Sequence, residues 1–143
     1  MSQPWLFFAL GSAFFAGLTA LFGKMGVENV NSNMATFVRT IVILFVSASI
    51  ITMNSEWQRV DKFSSRTIIF LVLSGIATGL SWLCYYRALQ LGHVAQVASV
   101  DKLSVAFAII LSAFILGESL TWQTALGCLL IISGSIVIAL PKF

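Results

Sequence analysis

Three ionisable side chains stand inside long apolar runs of this 143-residue chain: Arg39, Asp101 and Lys102. In hydrocarbon each costs at least ~2.5 kcal/mol, so something must offset its burial. Three chemistries do so. Arg39 and Asp101 carry opposite charge and can lock two helices as an ion pair. Lys102 can run its long stem towards the interface. At least one of the three can face a water-filled cavity as a proton- or substrate-responsive site, the default reading of an intramembrane ionisable group. These readings are not exclusive. Other chemistry has little to run on. The single histidine, His93, offers no metal-ligand set. There is no Ser-His-Asp arrangement, Gly-rich phosphate loop or HExxH motif, so neither an enzyme nor a cofactor is expected. Cys84 and Cys128 lie in apolar runs without a C-x-x-C pattern, and no disulfide or nucleic-acid partner is expected.

The elements that must carry these charges follow from composition. Hydrophobic residues make up 59% of the chain and charged residues 9%, against about 25% charge in a soluble domain. A water-soluble protein of this kind would expose large apolar patches. Five stretches are long enough to cross a core of about 30 Å: about 4–22, 33–53, 67–86, 94–116 and 121–140. Backbone groups in lipid must be satisfied internally, so the spans are helices and the fold class is an all-α membrane protein. The first span lacks the positive n-region of a signal peptide and is expected to stay. Connections are short except 54–66, which is polar and charged. Neighbouring helices therefore run antiparallel, and five crossings put the two ends on opposite sides, here A (N-terminal) and B.

Spans two and four both begin at side B. Arg39 and Asp101 then lie at matching depths, roughly 10 Å below that surface. Asp101 shares a face with Ser104, Ala108 and Ser112 and is expected to point into the bundle, with Lys102 turned about 100° away. Lys24 and Arg87 lie near the same surface, which is expected to be electropositive and to suit an anionic or carboxylate-bearing solute. Trp82, Tyr85 and Tyr86 end the third span there, as an interfacial aromatic belt or as a stacking wall of a substrate pocket.

Small residues mark helix contacts. Ala9, Ala13 and Gly17 recur at four-residue spacing, Gly75 and Gly79 form a GxxxG, and Gly127 and Gly134 share a face of the fifth span. Such spacing lets backbones approach closely, within one chain or across a dimer. Glu118 precedes a plausible N-cap, Thr121, where a carboxylate suits the helix dipole; its expected role is structural.

The run Tyr86-Arg-Ala-Leu-Gln-Leu-Gly92, the apolar fourth helix ending Leu116-Gly-Glu118, and the stretch Gly127 to Gly134 together resemble the EamA repeat of the drug/metabolite transporter superfamily. Lys24 closing helix one and Arg39 opening helix two fit as well. The resemblance covers essentially the whole chain, as one EamA-type domain over 1–143. It implies a transporter, commonly an exporter, of small metabolites such as amino acids across a bacterial inner membrane. Most members carry two such repeats, related by inverted topology, around a central substrate cavity. Short members similar to this chain carry an Asp-Lys pair where Asp101 and Lys102 stand. Two departures matter. The proline often found midway along helix four is absent near Val105, which leaves a break there open. Helix one lacks the carboxylate typical of the small multidrug resistance proteins, which counts against drug–proton antiport of their kind.

Flanking cations number three on each side: Arg59, Lys62 and Arg66 at A; Lys24, Arg87 and Lys142 at B. The positive-inside rule then gives no orientation bias. A dual-topology antiparallel homodimer would recreate the inverted repeat. Arg39, Asp101, Lys102, Trp82 and Tyr86 are the expected substrate- or ion-binding residues. Gly75, Gly79, Glu118, Gly127 and Gly134 are the expected structural or dimer contacts. The alternatives to a dimeric secondary transporter of a small polar solute are a non-transporting subunit paired with another membrane protein and a lipid-moving protein.

Overall fold

The computed structural model of the chain describes residues 4–140, all of whose regular structure is helical. Lys142, one of the flanking cations, lies outside them. Among the described residues five spans are long and apolar enough to cross a membrane, so the protein is a multi-pass integral membrane protein. Helix α1 covers Pro4–Gly26, α2 Ser32–Met53 and α3 Ser65–Leu91. The fourth span is divided into α4, Val94–Asp101, and α5, Leu103–Leu111, followed by a π-helical turn over Ser112–Leu116. Helix α6 covers Trp122–Ala139.

The termini of these helices follow from local chemistry. Asn31 caps α2, its side-chain oxygen accepting from the Asn33 N–H, which meets one of the orphan donors of a helix start. Thr121 caps α6 as expected, accepting from the Thr124 N–H at 3.2 Å. Gly117 ends the fourth span at φ +70°, a left-handed conformation that glycine adopts without the Cβ penalty. Within α2 the hydroxyls of Thr36, Thr40, Ser49 and Thr52 each donate to the carbonyl four residues back. An apolar span thus absorbs its own hydroxyls. Helix α3 runs through Leu91 rather than ending near Tyr86, because no breaker precedes Gly92 and its last turn is engaged by other segments. In the polar segment between α2 and α3, a short 3₁₀ turn at Val60–Lys62 carries an exposed Arg59–Asp61 ion pair of 2.9 Å.

The chain forms two compact units: Met1–Phe22 with Leu91–Phe143, and Gly23–Gln90. In the first, α6 packs along α4 and α5. In the second, the C-terminal half of α3 is the hub. Leu89 and Val27 are fully buried. Gly23 on α1 lets the Tyr86 ring come so close that a Cβ there would stand 2.8 Å from its Cε1. Lys24 Nζ donates to the Leu89 carbonyl. The Gln90 amide donates to the carbonyls of Val27 and Val30, at 3.0 and 2.7 Å. These bonds tie the end of α1 and the following turn to α3.

Most apolar surface is not used inside the chain. No span buries more than 11% of its most apolar stretch, and that stretch of α3 buries none. These faces are left for lipid or another protein.

Candidate functional site

In the unit Gly23–Gln90, three of the expected site residues come together. The Arg39 guanidinium lies over the Trp82 ring, 3.2 Å from its centroid, and 6.0 Å from that of Tyr86. Trp82 meets Tyr85 edge-on at 5.3 Å and Tyr86 at 5.6 Å. Trp82 and Tyr86 are one helical turn apart on α3 and so share a face. Gly23 lies close against Tyr86. The partner of Arg39 within its own unit is therefore an aromatic face. A cation so placed is attracted by the ring quadrupole, by about 2 kcal/mol or more where water is excluded. Trp82 also differs from the other tryptophans. Trp5, Trp57 and Trp122 stand exposed at span ends or in the connecting segment, where an interfacial belt is expected. Trp82 is half-buried beneath an arginine.

In the other unit, Asp101 and Lys102 stand at the division of the fourth span. The Lys102 N–H reaches the Ser99 carbonyl and the Val105 N–H reaches the Lys102 carbonyl, at 3.1 and 3.0 Å. Both are three-residue spacings, so the helix tightens locally to 3₁₀ geometry. Such a stretch in mid-helix often marks a hinge or a sequence under strain. The break needs no proline: it lies at the charge pair, just before Val105. Lys102 Nζ is 3.7 Å from the Asp101 carboxylate. Asp101 and Lys102 each lie about 10 Å along the span from its start at Val94.

Lys102 faces α6. It lines a groove of about 400 Å³ with Ser99, Val105, Leu130, Gly134 and Ser135. Along the expected stripe Asp101 and Ser112 are half-buried, while Ser104 and Ala108 are exposed. Lys102 thus keeps a polar neighbourhood inside its unit, with Ser99 and Ser135 beside it, as well as a stem long enough to reach the interface. Glu118 is exposed, and its backbone N–H closes on the Ser112 carbonyl at 3.4 Å.

The glycines divide clearly. A Cβ added at Gly75, Gly79, Gly127 or Gly134 would meet nothing within 4 Å, whereas one at Gly23 would clash. Gly23, which the sequence does not single out, is a glycine that a close approach within its unit requires. Its only sequence signal is its place one residue before Lys24. Gln90 was also passed over, although it lies inside the motif that carried the resemblance.

No group of three or more His, Cys, Asp or Glu that could hold a metal occurs among the described residues. Cys84 and Cys128 are free thiols.

Comparison with known proteins bears on what such a molecule does. The model of the EamA-like transporter family matches residues 3–140. A protein of Sinorhizobium sp, described as an uncharacterized transporter in the cobO 3' region, is 49% identical over 139 residues, which is 97% of this chain and 99% of that protein. Human solute carrier family 35 member G1 is 26% identical over 138 residues, 96% of this chain but 37% of the human protein. No solved structure matches.

Proposed function

This chain belongs to the EamA-like transporter family, and from that premise we propose that it is a secondary transporter of a small polar metabolite, such as an amino acid, working as an exporter in the bacterial inner membrane. Its general activity is transport, as a membrane protein and not an enzyme. The observation that carries the finer reading is the division of the fourth span at Asp101–Lys102. Transporters place substrate and coupling-ion sites at interrupted helices near the bilayer midplane, where loosened backbone and ionisable side chains line a cavity. An unbroken span with a snorkelling lysine would need no such interruption.

The working unit is a dimer of two copies with opposite orientation. Balanced flanking charge supports it, as do Gly75 and Gly79 of α3, where an added Cβ would meet nothing within 4 Å. Small-residue faces are how helices meet in lipid, where no hydrophobic drive exists between them. The Sinorhizobium relative is matched over nearly its whole length, so the family includes other proteins of one-repeat size. In this assembly Arg39, Trp82 and Tyr86 of one unit and Asp101 and Lys102 of the other are the proposed substrate- or ion-binding residues, each present twice.

The test is reconstitution of the purified chain alone into liposomes loaded with a mixture of the twenty common amino acids, with efflux followed by mass spectrometry. Efflux above that of protein-free liposomes supports transport by this chain. No efflux, with the protein folded, favours the subunit reading. Reporter fusions at the C-terminus test the assembly: signal from both sides of the membrane is expected, and signal from one side only excludes the antiparallel homodimer.

A further inference from the structure

Arg39 is a charged group with an unfilled hydrogen-bonding edge. It lies about 10 Å along α2, flanked by the exposed apolar side chains of Phe37, Val38, Ile41 and Val42. Trp82 covers one face of the guanidinium. An aromatic face offers attraction but no lone pair, so it leaves the five N–H donors of the arginine unmet. Among the described residues of its unit, no carboxylate lies within 4 Å of the guanidinium and no oxygen accepts a hydrogen bond from it. Leaving donors of a charged group unpaired away from water is costly. The ring stack meanwhile holds the plane of the fork in one orientation.

We propose that Arg39, held on Trp82, is the carboxylate-binding group of the transported solute. The fork matches a planar carboxylate with two parallel charge-assisted hydrogen bonds, the strong and geometrically specific form of such contacts. Lysine would supply the same charge without the fork. The ring stack fixes the guanidinium before the solute arrives, which lowers the ordering cost of binding. Trp82, Tyr85 and Tyr86 set an aromatic wall beside the carboxylate. The inference rests on the transporter reading and narrows its substrate class from small polar metabolites to carboxylate-bearing ones.

The test uses the purified full chain in nanodiscs, with benzoate as the probe and benzamide as its uncharged counterpart of the same shape. Binding is measured by calorimetry and by the shift in thermal unfolding, because a ligand that prefers the folded state raises its apparent stability. Benzoate is expected to bind and to raise the melting temperature, and benzamide to bind at least tenfold more weakly. Arg39→Lys, which keeps the charge and protects folding, is expected to weaken benzoate binding at least tenfold while leaving unliganded melting near wild type. Equal binding of benzoate and benzamide overturns the proposal, and so does Arg39→Lys with wild-type affinity. Benzoate binding does not depend on flux. Arg39-dependent binding without any transport in liposomes sinks the transporter reading alone. Transport with Arg39→Lys binding unchanged sinks the carboxylate site alone.

Discussion

Gly23→Ala perturbs the second unit at its tightest point. The added methyl carbon would stand 2.8 Å from Tyr86 Cε1 and 3.4 Å from Leu89 Cδ1. Neither neighbour gives way easily. Leu89 is fully buried, Tyr86 is 5% exposed, and the Tyr86 ring rests against Trp82. Forcing a methyl group into a filled site costs about 1–3 kcal/mol. Against this stands a gain in helix propensity of about 1 kcal/mol for glycine to alanine. Gly17→Ala separates the two effects. It lies in the same helix, and its Cβ would meet nothing within 4 Å. The propensity gain is shared, so the two alanine variants should differ by about 1–3 kcal/mol, with Gly23→Ala the less stable. Thermal and denaturant unfolding in one detergent measure that difference. Tryptophan emission should also shift in Gly23→Ala, since moving Tyr86 moves Trp82 under Arg39. A Gly23→Ala protein that melts with Gly17→Ala or above it refutes the close approach and the stack built on it.

Three further substitutions probe packing. Gly75→Leu and Gly79→Leu should leave the monomer at least as stable as wild type, since the added side chain meets open space and leucine is the better helix former by up to about 1 kcal/mol, yet reduce crosslinked dimer in membranes severalfold. Undiminished dimer moves the interface away from the α3 glycine face. Gln90→Met removes the amide that donates to Val27 and Val30, and should cost about 1–3 kcal/mol through the carbonyls left without it. Chemical denaturation reads this directly, and a loss below 0.5 kcal/mol would mean that water replaces the amide freely.

Much of the fold was legible because lipid imposes so simple a rule. Twenty apolar residues in a row have one stable form, and the spans at Asn33, Val94 and Thr121 begin within a residue of the expected positions. Helix lengths at side B were less legible. Hydropathy fades after Tyr86, but α3 continues because Lys24 and Gln90 bond across to its end and to the turn beside it, and no single-segment pattern encodes a bond to a residue more than sixty positions away. The division of the fourth span was left open when no proline was found. The charge pair, not a proline, marks it, and the sequence had already singled out that pair. An ion pair with Asp101 is one of the readings that the sequence offers for Arg39. Opposite charge at equal depth is visible in a sequence, while an arginine settling on a ring depends on how α2 and α3 turn against each other. Trp82 and Tyr86 stand out in the sequence as aromatics at one span end, while the arginine that lies over Trp82 does not.

The central claim is that the charged division of the fourth span serves transport and is not merely scaffold. Efflux from amino-acid-loaded liposomes, measured for wild type and Asp101→Asn alongside their melting temperatures, tests it most directly. The claim predicts efflux at least tenfold lower in Asp101→Asn, with melting within a few degrees of wild type. Wild-type efflux in Asp101→Asn, or efflux lost only together with folding, would contradict it.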